Sequence, residues 1–436
     1  MWRSSKESPP SWRRAARGLL LGLGLALLRL HPALAAGGQA LTGEQVRQVL
    51  DFFTGEPAPA DETNRFERDP RAAELGRALF FNGRLSLSGK VSCASCHQSD
   101  ANWIDSRGHS DGKAGSQRDA PALWNVSSRR WLLWDGRAAS VWAQALLPIE
   151  AANEMHSDRR RLFDLIASDF VLRQLYEKTF GPPPPRRDCA RIGNTAKRQT
   201  CETRQRQEID RVFANVGKAI AAFEATITAR SSPFDKYLEC LKTSPPGACR
   251  QLSARAVDGL VLFTGKAGCV NCHFGPDLTD EEFHDIQLPD HYGRLDYDPG
   301  RMKGIVNAKA DAFGPGGRFS DCPNCGRARL LAASVETPES FHSFRTPSLR
   351  QVAETAPYMH TGVYGDLRQV LKHYSTLADS PPGGHSPETI LHRLDLSEDD
   401  TRSLIAFLCA LTSDEGQVMG QKVAIPRSAA SLRQCE

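Results

Sequence analysis

Between residues 211 and 228 the apolar positions Val212, Phe213, Val216, Ile220, Phe223 and Ile227 recur at steps of three and four. That is the period of one face of an α-helix, and it predicts a helix over 211–228. A second stripe, Leu404, Ile405, Phe407 and Leu408, predicts a helix over 398–411, opened by Ser397 as N-cap with Asp400 three residues on. Two shorter segments resemble each other: Glu74-Leu-Gly-Arg-Ala-Leu-Phe80 and Asp258-Gly-Leu-Val-Leu-Phe263. Gly76 matches Gly259, Leu79 matches Leu262 and Phe80 matches Phe263, so the chain reads as one helical unit used twice. Alternating patterns are scarce, and residues 181–185, 380–384 and 289–326, rich in Gly, Pro and Asp, read as loops. The expected class is all-α with long loops.

Each repeated helix leads into the same chemistry, Cys93-Ala-Ser-Cys96-His97 in the first copy and Cys269-Val-Asn-Cys272-His273 in the second. C-x-x-C-H is the attachment signature of c-type haem: two thiols bind the two vinyl groups, and the adjoining imidazole ligates the iron. Redox or zinc C-x-x-C sites are the alternative, but zinc does not call for a His directly after the second Cys in both copies. Two covalently bound c-type haems are therefore expected, in two cytochrome c-like domains. Of 12 cysteines, eight remain, and their spacing suggests disulfides Cys189/Cys201, Cys240/Cys249, Cys322/Cys325 and Cys409/Cys435. Cys322-Pro-Asn-Cys325 precedes Gly326 and is not counted as a third haem site.

The N-terminus reads as a secretory signal over residues 1–35, with a basic start at Arg13, Arg14 and Arg17, an apolar run over 18–30, and the small-residue site Ala33-Leu-Ala35. The apolar run is short for a membrane span, with an uncleaved anchor as the alternative. Export to the periplasm fits both the haem motifs and the disulfides. The formal charge of +4 falls to −1 when residues 1–35 are removed, so the basicity belongs to the signal and not to a nucleic-acid or membrane surface. The expected domains are 36–232, carrying the first haem, and 233–436, carrying the second.

The chain between and beyond the motifs contains Trp103-Ile-Asp-Ser-Arg-Gly-His109, Arg118-Asp-Ala-Pro-Ala-Leu-Trp-Asn125, Trp134-Asp-Gly-Arg137, Gln144-Ala-Leu-Leu-Pro148, Phe344-Arg-Thr-Pro-Ser-Leu349 and Ala356-Pro-Tyr-Met-His-Thr-Gly362. Over about residues 65–411 this resembles the bacterial dihaem cytochrome c peroxidase superfamily, which includes the MauG enzymes. The resemblance implies that the haem on His97 is the peroxide site, that Gln144 and Glu154 form its distal pair, and that Trp134 couples the two haems. Among the five tryptophans of the mature chain only Trp134 has a matched position. A calcium ion is also implied, at Asp119, Thr355 and Pro357, with Asp in place of the family's usual Asn.

The far-side ligand of the second haem separates members of the superfamily. Fourteen residues after His360, where many peroxidases carry Met, this chain has Tyr374, as MauG-type members do. An anionic oxygen ligand favours higher oxidation states. His373 and Met359 are the alternative ligands. His109 is the nearest counterpart of the distal-loop His that some peroxidases displace on activation, but matching Asp105 and Ser110 puts Lys113 at that position, which implies a permanently open first haem. The implied function is a hydrogen peroxide-using dihaem oxidoreductase drawing electrons from a small cytochrome c or cupredoxin. The alternatives are MauG-like oxidation of side chains in a partner protein and a dihaem electron carrier without chemistry of its own.

Overall fold

The computed structural model describes residues 40–435 except 57, 106–117, 289–297, 379 and 381–387. The signal segment 1–35, His109, Lys113 and most of the 380–384 loop lie outside the described residues. In chain order the helices are α1 (Gly43–Phe53), α2 (Pro70–Phe80), α3 (Val141–Gln144), α4 (Leu147–Glu150), α5 (Arg159–Ser168), α6 (Phe170–Phe180), α7 (Thr195–Glu224), α8 (Pro233–Thr243), α9 (Ala254–Thr264), α10 (Arg301–Ala310), α11 (Gly326–Ala333), α12 (Leu367–Thr376), α13 (Glu398–Cys409) and α14 (Ala429–Cys435). Short 3-10 turns and two antiparallel strand pairs join them: β1 (Phe283–His284) with β2 (Phe344–Arg345), and β3 (Glu415–Val418) with β4 (Gln421–Ala424). The all-α reading therefore holds for the bulk of the described chain.

The sequence repeat is a structural repeat. Helix α2 crosses α7 at Gly76, where an added Cβ would lie 1.9 Å from the Ala219 carbonyl oxygen; α9 crosses α13 at Gly259, where it would lie 1.9 Å from the Ser403 carbonyl oxygen. Phe80 meets Phe223 with ring centres 5.2 Å apart, and Phe263 meets Phe407 at 5.1 Å. In each copy a glycine brings two helix backbones together and an aromatic pair fills the space beside the crossing. Both leading helices are capped as their sequences favour, α2 by Asp69 with Pro70 at its first position, and α9 by Ser253.

Two large apolar cores form around these crossings. One is built chiefly from residues 75–229, including Leu75, Leu79, Phe213, Val216 and Phe223; the other gathers α8, α9, α12 and α13. Helix α1, first in the chain, packs in the second core, with Phe53 against Phe234 at 5.2 Å.

Two predicted spans are corrected. Helix α7 begins at Thr195, not 211, and ends at Glu224. Its first half is polar and is held by the Cys189–Cys201 disulfide and by ion pairs of Glu208 with Arg187 and Arg204, none of which has an apolar period. Helix α10 lies inside the predicted 289–326 loop; Gly304 gives its sequence a loop-like look, but that glycine receives the backbone of Asp135, whose carbonyl oxygen would sit 1.9 Å from a Cβ. All four expected disulfides form, and the four motif cysteines stay outside them.

Candidate haem and peroxide site

Both motifs fold the same way. Cys93–Ser95 and Cys269–Asn271 are single 3-10 turns, and the backbone N–H of the following histidine donates to the first cysteine's carbonyl at 2.9 Å in each. One turn thus sets two thiols and an imidazole on one side of the chain. The His97 ring donates from Nδ1 to the Trp103 carbonyl at 3.2 Å, and His273 from Nδ1 to the Leu278 carbonyl at 3.0 Å. A carbonyl only accepts, so each hydrogen bond puts the proton on Nδ1 and leaves Nε2 as the basic nitrogen suited to iron. Burial lowers the pKa of both rings, which keeps them neutral, as a ligand must be. Free thiols beside a correctly tautomerised histidine, twice, are the donor set that two c-type haems require.

Trp103 and Leu278 present those carbonyls from left-handed backbone, at φ of 61° and 51°. A non-glycine residue pays for that conformation in strain. These carbonyl acceptors were not foreseen from the sequence, although their positions six and five residues after the motif histidines were open to a comparison of the two copies.

The matched distal residues lie on the first core's side. Gln144 ends α3 and is half-buried; Glu154 follows α4 in a turn and is exposed as a residue, yet protein mass around its carboxyl raises its pKa through burial, partly offset by Arg137. The Glu154 turn is tied to the first haem motif's approach, because the Leu87 N–H donates to the Met155 carbonyl at 2.9 Å.

Trp134 lies where the two halves of the chain meet. Its Nε1 donates to the Asp119 carbonyl at 2.9 Å, its own carbonyl accepts from the Arg345 N–H at 2.8 Å, and its ring stands edge-on to His360 at 6.4 Å. His360 is stacked on Phe344 at 3.6 Å and burial drives its pKa down to about 3, so it is a neutral packing group. Arg118 clamps this junction by pairing with Asp298 through two bonds of 2.8 and 2.7 Å and with Asp135 at 2.7 Å.

Asp119 is buried, its Oδ1 has no hydrogen-bond partner, and burial pushes its pKa up to about 7. Its N–H donates to the His360 carbonyl at 2.8 Å, which links it to the segment containing Thr355 and Pro357. An orphaned buried carboxylate oxygen on a residue tied to that segment fits a hard cation.

Tyr374 stands on α12. The residue is half-buried, and burial raises its phenol above the usual range, with Cys269 and Cys272 of the second motif near enough to add to the rise. The neighbouring His373 has both ring nitrogens engaged, Nδ1 with the Tyr364 hydroxyl at 3.3 Å and Nε2 with the Ile286 carbonyl at 2.9 Å. Cys272, Asp280 and His284 have ligand atoms within 4.8 Å of one another. His284 nevertheless spends both nitrogens on carboxylates, Nε2 on Asp280 at 2.9 Å and Nδ1 on Glu388 at 2.7 Å, which raise its pKa to about 11 and leave no lone pair for a metal.

Residues 70–243 match the model of the di-haem cytochrome c peroxidase family. The chain is 31% identical over 351 residues to a methylamine utilization protein MauG of Methylorubrum extorquens, covering 80% of each chain. It is 29% identical over 395 residues to a cytochrome-c peroxidase IdrP1 of Denitromonas iodatirespirans, covering 89% of this chain and 93% of that one. Among solved structures, a MauG-like protein associated with microbial copper homeostasis shares the fold at a TM-score of 0.58 and 24% identity, over 83% of this chain and 94% of that one. With two haem-binding motifs of matching geometry and relatives along most of its length, the chain belongs to the dihaem cytochrome c peroxidase and MauG family and is a peroxidase-type oxidoreductase.

Proposed function

We propose that the protein is a hydrogen peroxide-using oxidoreductase in which His97 and His273 would each hold a haem, the first serving the peroxide reaction, with Trp134 placed to couple the two sites. The observation that carries this reading is the pairing of two equally built proximal sites with unequal surroundings, Glu154 close enough to Cys93 to act on its thiol at the first and Tyr374 close to Cys269 and Cys272 at the second. Bound haem supplies redox-active iron at each site. The domain reading is 36–232 for the peroxide site and 233–436 for the second haem, with segments exchanged between the two: α1 packs in the second core, and Phe313 and Ile425 in the first.

Glu154 takes the proton from the near oxygen of peroxide at its carboxylate and returns it to the far oxygen, so that water leaves in place of hydroxide. Gln144 orients the peroxide through its amide. Trp134 is fixed within its own half by the Nε1 bond to the Asp119 carbonyl and tied to the other by the bond its carbonyl accepts from the Arg345 N–H, a rigid placement suited to electronic coupling. Tyr374 would ligate the second haem, a reading supported by the closeness of its half-buried phenol to Cys269 and Cys272. Occupation of both His373 nitrogens speaks against that alternative. Asp119, with Thr355 and Pro357, would hold a calcium ion that fixes the loop under Trp134.

The electron source under this reading is a small redox protein, cytochrome c or cupredoxin, met in the periplasm after export. Tyr374 favours a second reading, MauG-like oxidation of a partner protein's side chains, because an oxygen ligand suits storage of oxidising equivalents better than Met does. Among the described residues no helix is long and apolar enough to cross a membrane.

Glu154→Gln tests the peroxide step. The rate of reaction with peroxide should fall by about 100-fold or more, while the resting ferric spectrum stays unchanged. In the unsubstituted protein the rate should fall as pH drops through the raised pKa of Glu154, since protonation removes the base. An unchanged rate in the variant would remove Glu154 from the chemistry.

A further inference from the structure

The two proximal sites differ in one residue that could carry charge. The carbonyl holding His97 belongs to Trp103, whereas its counterpart holding His273 belongs to Leu278. Trp103 is buried, and its indole meets that of Trp124 edge-to-face with ring centres 6.5 Å apart. Their aromatic neighbours, Phe80 and Phe223, are hard to oxidise. The far edge of Trp124 rests on strand β3: a Cβ on Gly416 would lie 2.6 Å from Trp124 Cζ3. That strand belongs to a hairpin with exposed Glu415, Gln417, Gln421 and Lys422 and with Met419 at its turn.

Electrostatics sorts the other tryptophans. The Arg301 guanidinium lies 4.0 Å over Trp131, and Lys218 Nζ lies 5.3 Å over Trp142. A fixed cation over a ring opposes removal of an electron from it. Among the described residues no cation lies over Trp103 or Trp124. Trp124 Nε1 is moreover buried with no hydrogen-bond partner, so an oxidised Trp124 has no acceptor for its proton and stays a strong oxidant able to draw the next electron inward.

We propose that Trp103 and Trp124 form a one-electron route on the proximal side of the first haem, connecting it to the β3–β4 hairpin independently of Trp134. The route rests on the assignment of peroxide chemistry to the His97 site. Reduction of hydrogen peroxide to two waters takes two electrons and two protons. Trp103 gives one electron to the peroxide-oxidised centre and Trp124 refills Trp103. A one-electron donor at the hairpin then refills Trp124. When no donor is present the deficit falls on the chain itself: two electrons leave the Trp124 ring or the Met419 sulfur, water supplies the oxygen atom, and two protons are released.

The test uses the diferric holoprotein, repeated equivalents of hydrogen peroxide and no external donor, with peptide mapping by mass spectrometry and the Soret absorbance followed together. In the unsubstituted protein one added oxygen should appear on peptides holding Trp124 or Met419, with Trp131 and Trp142 unmodified. Trp103→Phe and Trp124→Phe should each cut oxygen addition at Met419 severalfold and speed Soret bleaching per equivalent of peroxide. Trp103→Tyr, which restores an oxidisable ring without altering the backbone carbonyl that holds His97, should recover the original pattern. Oxygen on Trp131 or Trp142 in place of Trp124 and Met419 in the unsubstituted protein would overturn the route without any variant. So would the same map and bleaching rate in both Phe variants. A Soret band indifferent to peroxide in the unsubstituted protein would instead overturn the proposed peroxide reaction, and the route with it.

Discussion

Trp103 and Leu278 each hold a left-handed backbone for the sake of one hydrogen bond, which fixes the tautomer and direction of a proximal histidine. Asp119 is an orphan of another kind, a carboxylate oxygen buried without a hydrogen-bond partner. An unsatisfied buried polar group costs stability, so it points to a group that completes it. Tyr374 is a half-buried phenol close to Cys269 and Cys272, and its proposed role as a ligand of the second haem has a direct test: Tyr374→Phe should change the ferric spectrum of the second haem and raise its reduction potential, and an identical spectrum would exclude the ligand. For Asp119 the pKa of about 7 lies above that of an unfolded Asp, so without a cation the folded state holds the extra proton. The stability this proton confers is fully present below about pH 4 and is lost as pH rises to about 7. In chelator, Asp119→Asn should therefore gain melting temperature over the parent as pH rises from about 4 to about 7, and calcium should reverse the difference. A calcium-independent difference would leave the site without its ion. Of these residues, the motif histidines were legible by spacing. The carbonyls of Trp103 and Leu278 were not, because a backbone acceptor carries no residue signature.

At the scale of elements the molecule is two helix crossings made by the same device. The repeat Gly76/Gly259 was visible as a matched letter, and the folded chain gives its reason: carbonyl oxygens of Ala219 and Ser403 occupy the space a side chain would need. Gly76→Ala and Gly259→Ala should each destabilise by about 1–3 kcal/mol or more through forced separation of backbones, measured by denaturant unfolding of the holoprotein. Equal stability in either variant would mean that the crossing is loose. The capping of α13 by Ser397 and Asp400 was also legible. The first half of α7 was not, since ion pairs and a disulfide replace an apolar stripe there, and α10 was hidden because its seat is made by Asp135 from a distant part of the chain. Periodicity reports helices that bury a face; it is silent on those held by charge or by a single close approach.

Across the whole molecule, two similar cores carry two attachment motifs of one pattern, and what differs lies around them: Glu154 near Cys93 of the first, Tyr374 near Cys269 and Cys272 of the second, Trp134 at the junction clamped by Arg118. The central claim is that this inequality lets the protein react with peroxide without being reduced first. It is tested most directly by adding one equivalent of hydrogen peroxide to the diferric holoprotein while following the Soret and near-infrared bands. The account predicts an immediate Soret shift together with a new near-infrared band from charge shared between the two haem sites. A diferric protein that stays spectrally silent until its second haem is reduced would contradict it.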